Sequence, residues 1–217
     1  LDSLRGVTQP QEHYWDVFEH SLQTVSAAAR LLASLQVNGS QSPVASPQPL
    51  VVWDWPWPVR EKLRAHFATV LAADRPRTIA FKLAALLHDI AKPQTRSVEP
   101  NGRIRFINHQ IVGLPIVEDI LRRLRLSRRE IAVVRTVIEH HLRPGQLTDE
   151  STVSKRAVYR FFRDTEAEGI DVLFLSLADH LATRGPLLNA AHWAQHVAMT
   201  QAMLTYYLAP EPAAAPL

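Results

Sequence analysis

The pair His88-Asp89 interrupts the run Leu83-Ala84-Ala85-Leu86-Leu87 inside a segment, Ile79 to Ala91, that is short of polar residues on every side. A helix apolar all round is a buried one, and withdrawing an unpaired carboxylate from water costs several kcal/mol. Asp89 therefore needs a cation, a metal ion or a cluster of donors. The same anomaly recurs at Asp179, which has Leu175 and Val172 one and two helical turns before it on another strongly apolar helix. Two buried carboxylates on two core helices point to a shared cation. His20 stands at the margin of the first helix's apolar stripe, one helical step from Val17 and Thr24, and offers a third ligand type there. Taken singly, each has a plainer reading: a core histidine bonded to a carbonyl, or a chance adjacency of His and Asp.

Composition narrows the chemistry further. The chain has 217 residues, 47% of them hydrophobic, and no cysteine. That is enough apolar mass for a full core, and it leaves no disulfide, thiolate metal site or cysteine nucleophile. His, Asp and Glu remain as the strong metal ligands. The longest apolar runs are too short for a membrane span, and no secretion signal is legible, so the expectation is a soluble globular protein, with the lack of cysteine suiting a reducing cytoplasm. Net charge is only +3, too little to mark the whole chain as a nucleic-acid binder. Arg122, Arg123, Arg125, Arg128, Arg129 and Arg135 crowd one short stretch with Glu130 as its one acid. This cluster reads either as a solvated helix face or as a contact for RNA or a nucleotide.

The elements that must position these residues are mostly helical. Trp15, Phe18, Leu22, Val25, Ala29 and Leu32 recur at intervals of three and four, predicting an amphipathic helix from His13 to Gln36. Residues 38–58, rich in Pro, Ser and Trp, cannot propagate it and read as an insertion, in which Trp53, Trp55 and Trp57 pin the loop to the body or form a binding lip. Helical periodicity returns over Val59 to Ala73. After the buried segment ending at Pro93, Asn101-Gly102 followed by Arg103-Ile104-Arg105-Phe106 predicts one small hairpin. His109 to Leu124, a helix opened by the capping box Ser127 to Glu130 and running to His141, Ser151 to Arg163, Ala167 to Thr183, and Leu187 to Leu208 complete the set. The expectation is one all-α domain over 1–209, with a minor hairpin, the 38–58 insertion and a disordered Ala/Pro-rich tail at 210–217.

The order His20, then His88-Asp89, then Asp179 resembles the HD superfamily of metal-dependent phosphohydrolases. More narrowly, Asp16-Val17-Phe18-Glu19-His20, Leu86-Leu87-His88-Asp89-Ile90-Ala91-Lys92-Pro93 with Thr95-Arg96, Arg105-Phe106 leading to His109, Leu124-Arg125-Leu126, and Ala178-Asp179 with Arg184-Gly185 resemble the HD region of bacterial tRNA nucleotidyltransferase and poly(A) polymerase-like proteins. The resemblance implies an HD-domain helical bundle in which His20, His88, Asp89 and Asp179 ligate a divalent metal. Members with additional histidines bind a second ion bridged by the Asp of the pair, and His109, His140 and His141 are the candidates here. Adjacent helical residues point about 100° apart, so only one of His140 and His141 serves a given metal.

One or two divalent ions, Fe, Mn, Mg, Zn or Ni, would suit these nitrogen and oxygen ligands and hydrolysis of a phosphate ester of a nucleotide or an RNA end. Asp89 and Lys92 are the candidate catalytic residues, with Lys92, Arg96 and Arg143 as candidate phosphate contacts or else surface cations. Ala91 stands where many relatives carry Gly, and Gln110 where relatives often carry Glu. The Gly-Ser and paired-Asp constellation of the polymerase head is absent from the chain, which opens on Leu1 rather than Met. Two functions follow: a phosphohydrolase acting on a phosphorylated small molecule or nucleotide, or a non-catalytic RNA-binding module of a tRNA nucleotidyltransferase-like protein.

Overall fold

The computed structural model describes residues 1–36, 55–148 and 153–209. Residues 38–54 of the expected insertion, the first residues of the helix expected from Ser151, and the tail at 210–217 lie outside them. Among the described residues the architecture is all-α with two small antiparallel hairpins.

Helix α1 (Val17–Ser34) starts later than its periodicity implies. Asp16 is its N-cap, and its carboxylate accepts from Glu19 N and from Gly6 N, both at 2.8 Å. It is thus a helix-start acid. The residues before it form an N-terminal arm, fixed by Val17 N donating to Val7 O at 3.1 Å and Tyr14 N to Thr183 O at 2.9 Å. After α2 (Trp57–Ala68), residues expected to continue a helix to Ala73 instead form β1 (Val70–Ala72), which pairs with β2 (Arg75–Pro76). Leu63, Phe67 and Leu71 are all buried, and a strand keeps Leu71 inward as well as a fifth turn of helix would, so the pattern did not distinguish them. One hairpin was expected and two are present.

Helix α3 (Arg77–Leu87) is shorter than the apolar run: His88 is its C-cap, and Asp89 to Ala91 form a turn before the short α4 (Lys92–Thr95). The expected hairpin is β3 (Arg96–Val98) against β4 (Ile104–Phe106), with Arg96 opposite Phe106 and Val98 opposite Ile104. Helix α5 (His109–Arg123) tolerates Pro115 because that residue lies on its exposed side. Its Gly113 faces Ile90 and Ala91, where an added Cβ would meet Ile90 Cγ2 at 3.3 Å and Ala91 Cβ at 3.5 Å. Ala91 in place of Gly is thereby a packing adjustment that Gly113 accommodates.

The capping box forms at the start of α6 (Arg128–His140), where Ser127 and Glu130 exchange bonds. A short α7 (Arg143–Thr148) follows immediately, despite Pro144, since the first helical turn needs no proline N–H. Then come α8 (Lys155–Thr165), α9 (Gly169–Arg184) and α10 (Ala190–Tyr207). Helix α9 is buried from Gly169 to Ala178 and packs against α1, α3, α6 and α10. Its Leu173, Phe174 and Leu175 are fully enclosed, each contributing about 1.5–3 kcal/mol by leaving water. Trp55 is also buried and stacks on Phe174 at 6.2 Å, which makes it a pin between α2's entry and α9 rather than a lip.

Candidate metal centre

Five helices deliver the residues singled out in the sequence. His20 lies in the first turn of α1, His88 caps α3, Asp89 follows in the turn, His109 opens α5, His141 caps α6, and Asp179 lies near the end of α9. His20, His88, Asp89, His109 and His141 are buried, and the Asp179 side chain is 27% exposed. Asp89 is the hub. Its Oδ2 lies 3.4 Å from His20 Nε2, 3.2 Å from His88 Nε2 and 2.7 Å from Lys92 Nζ, and its Oδ1 lies 3.2 Å from His109 Nε2. Asp179 Oδ1 is 3.1 Å from His20 Nε2 and 3.8 Å from His88 Nε2.

Three of the imidazoles are oriented the same way. The Nδ1 of His88, His109 and His141 meets the carbonyl oxygen of the residue three before it: Ala85 at 2.9 Å, Phe106 at 2.7 Å and Ile138 at 2.6 Å. A carbonyl only accepts, so each Nδ1 carries the proton, and in the neutral ring each Nε2 presents a lone pair to the centre. Those lone pairs face carboxylate oxygens and one another. His20 Nε2 and His88 Nε2 are 3.4 Å apart, as are His109 Nε2 and His141 Nε2. Such a convergence of acceptors is unfavourable by itself and favourable around a cation. The C-terminal ends of α3 and α6 add partial negative charge, against the single N-terminus of α5.

The charge balance says the same. Burial alone would raise the Asp89 carboxyl, yet the charges of His88 and Lys92 and the bonds to His109 and His20 hold it well below the usual range. Asp179 is likewise held well below it, with burial outweighed by His20 and His88. Burial pushes the His20 imidazole down, but Asp179 and Asp89 outweigh it and raise its pKa. The carboxylates thus demand positive charge, Asp89 in a buried position and Asp179 at the partly exposed edge of the centre. His141, buried beside His88 and His109, is lowered to about 3 and is neutral, as a ligand must be.

Among the described residues two groups of atoms could hold an ion: His20, His88 and Asp179, and His88, Asp89 and His141, each with its ligand atoms within 4.8 Å of one another. The all-N/O donor set, the shared His88, and Asp89 Oδ2, which is buried and receives no well-directed hydrogen bond, fit divalent ions. His141 rather than His140 faces this centre. The charges acting on His140 are those of Glu139, Arg143 and Asp164, outside the cluster.

Of the candidate phosphate contacts, only Lys92 is at the centre. It is buried, its Nζ donates to Gln9 Oε1 at 2.6 Å, and it lies 5.3 Å from the Phe106 ring centroid. Arg96 is exposed and reaches Thr8 Oγ1 at 3.3 Å, while Arg143 pairs with Asp164 at 3.2 Å and lies over the Phe161 ring. Gln110 points its Oε1 into a buried position with no hydrogen-bond partner among the described residues.

The arm before α1 brings residues that sequence reasoning missed. Gln9 holds Lys92, and the His13 ring lies edge-on to His20 with centroids 5.5 Å apart. Burial, then the charges of Lys92 and His20, lowers His13 to about 3. Gln9 precedes the periodic segment and His13 only opens it, ahead of the first apolar position, Trp15, so the apolar spacing linked neither to the site. On the other side, Asp179 and His141 border a cavity of about 480 Å³ between α7, α9 and α10.

The family model of the HD domain matches residues 17–184, from the start of α1 to the end of α9, a span containing every member of the cluster. A CC-adding tRNA nucleotidyltransferase of Thermus thermophilus is 36% identical over 105 residues, 48% of this chain and 23% of the relative. An A-adding tRNA nucleotidyltransferase of Deinococcus radiodurans is 34% identical over 110 residues, 50% of this chain and 24% of the relative. The chain thus spans about a quarter of the length of the curated relatives it matches.

Proposed function

The chain belongs to the HD domain family, and from that premise we propose that it is a metal-dependent phosphohydrolase acting on a phosphate ester of a nucleotide or an RNA end. The observation that carries this reading is the convergence of the His88 and His109 Nε2 lone pairs on the Asp89 carboxylate, with His141 Nε2 3.4 Å from His109 Nε2 and Nδ1 of each of the three rings committed to a carbonyl. His20, His88 and Asp179 would hold one divalent ion, and His88, Asp89 and His141 a second, with His109 at the free Asp89 oxygen. When bound, such ions lower the pKa of a water nucleophile and neutralise phosphate oxygens.

The chain's own residues do the rest. Lys92, steered by Gln9 and held 2.7 Å from Asp89, places an ammonium where a phosphate oxygen would otherwise meet only carboxylate. His13, neutral beside His20, screens that flank from water. Asp89, with one oxygen toward each half of the cluster, fixes both halves relative to the phosphate. The test is metal content by mass spectrometry together with hydrolysis of a phosphomonoester and phosphodiester panel for the wild type, Asp89→Ala and Asp179→Ala. A lowered metal content and loss of turnover are expected in each variant; unchanged metal and turnover in both variants would overturn the reading.

A second reading rests on the arginines. Glu118 pairs with Arg122 and Arg135, whereas Arg123, Arg125, Arg128 and Arg129 are exposed around the α5–α6 turn with no ion-pair partner among the described residues. Together with relatives named as tRNA nucleotidyltransferases, this supports an RNA-binding module. RNA affinity that falls steeply with salt, with a slope that drops by about 0.7–0.9 for each arginine contacting a phosphate that is removed, is the expected signature. Salt-independent affinity would exclude it.

A further inference from the structure

Between Asp171, which pairs with Arg77, and the terminal Arg184, helix α9 carries its polar residues in one stripe: Ser176, Asp179, His180 and Thr183, spaced as i, i+3, i+4 and i+7. Helix α10 answers with His192, Gln195 and His196, spaced i, i+3 and i+4. The two stripes face each other across the cavity of about 480 Å³ that Asp179 and His141 close at one end. A polar stripe on a helix otherwise sunk in the core is costly unless it lines a space that something polar enters.

The lining is uncharged apart from Asp179. No Lys, Arg or Glu is among the described residues that form it. His196 is held neutral by burial, its pKa lowered to about 4, and its Nε2 is 2.9 Å from Ser176 Oγ at the cavity floor. The wall therefore offers hydroxyl, amide and imidazole groups, which donate and accept, but no countercharge for a second phosphate. It also offers ring faces. His180 stacks on His196 with centroids 5.0 Å apart and 21° between planes, and lies 5.7 Å from Trp193 at 31°. His180 Nε2 is enclosed and lacks a hydrogen-bond partner among the described residues. The volume lies within the roughly 300–1,000 Å³ of pockets that enclose a small organic ligand, far more than a bare phosphate fills.

We infer that this cavity seats the nucleoside half of the substrate, with ribose and base held between α9 and α10 while the phosphate lies at the His/Asp centre. The inference rests on the phosphohydrolase reading for the position of the phosphate, but the nucleoside seat is measurable without turnover. Adenosine, which carries no phosphate, is titrated into the metal-loaded chain while the imidazole signals are followed by NMR. The signals of His180, His192 and His196 shift and saturate, and His180→Leu and Gln195→Leu each weaken adenosine about tenfold while inorganic phosphate binds as in the wild type. Gln195 is on the exposed rim, so that variant keeps the test valid where His180→Leu does not fold. Imidazole signals that ignore adenosine, or that respond to inorganic diphosphate in its place, would overturn the nucleoside seat. Adenosine binding with no phosphoester hydrolysed by the metal-loaded chain would overturn the phosphohydrolase reading alone; hydrolysis without adenosine binding would overturn the seat alone.

Discussion

His109 Nε2 and His141 Nε2 lie 3.4 Å apart, although each ring has already given its Nδ1 proton to the carbonyl three residues earlier. Two neutral imidazoles so fixed direct lone pairs at one another. That arrangement is stable when a cation lies between or beside them, and it sets which substitutions matter.

His88 is common to both candidate ion sites. His88→Ala is therefore expected to abolish metal binding altogether, and His141→Ala to lower the metal content to the His20, His88 and Asp179 site alone. His140→Ala, outside the cluster, is expected to bind metal as the wild type does. Mass-spectrometric metal analysis of the three variants, purified side by side, checks the order; an effect of His140→Ala equal to that of His141→Ala would contradict it.

Metal removal should destabilise the fold, since the ion binds only the assembled ligands. At a free-metal concentration of 100 Kd the stabilisation is about 2.7 kcal/mol, which for a chain of this size corresponds to roughly 5–10 °C in Tm. Melting with and without chelator measures it. The difference is expected to shrink as pH falls toward and below 6.5, because His20, whose pKa is raised above that value by Asp179 and Asp89, must lose its proton to bind.

Glu130 closes the capping box of α6 and accepts from Arg75 Nε at 2.6 Å and Nη2 at 2.8 Å. The Arg75 bonds, against burial and with help from Ser127, lower its pKa to about 2. A carboxyl depressed in the folded state stabilises fully above its ordinary value of 4.5 and loses that contribution as pH falls from there toward 2. Glu130→Gln should cost about 1 kcal/mol near neutrality, with the gap to wild type closing in metal-free melts as pH drops through that window.

Asp171 is fully buried between His66 Nε2 at 2.7 Å and Arg77 Nε at 2.9 Å, with Glu168 on the other side of Arg77. Removing one partner of a buried pair strands the other's charge. Asp171→Ala should cost about 3–5 kcal/mol while leaving metal per folded chain unchanged, as read by denaturant unfolding and metal analysis together.

Gly169 opens α9 where an added Cβ would lie 2.6 Å from Thr165 Oγ1 and 2.7 Å from Phe162 Cδ1. Both neighbours are buried and cannot retreat. Gly169→Ala should destabilise by about 1–3 kcal/mol, measured by chemical denaturation.

Sequence by itself determined the helical class and singled out the core of the candidate site, because a carboxylate in an apolar helix is visible in one dimension. Asp89 and Asp179 stood out against Leu83–Leu87 and Leu173–Leu175, and the ends of α6 were written in Ser127, Glu130 and Pro144. Periodicity could not tell a strand from a helix at Leu71, since both bury it. Nor could it choose between His140 and His141: that depends on where α6 stops and on which ring then reaches the Ile138 carbonyl. His13 and Gln9 entered the site only through an arm whose path is set by the bonds of Gly6 to Asp16 and of Tyr14 to Thr183, the last far from both in sequence. The stripe of Ser176, Asp179, His180 and Thr183 was present in the sequence, but a polar stripe becomes a cavity wall only once another helix stands opposite, and packing alone placed α10 there.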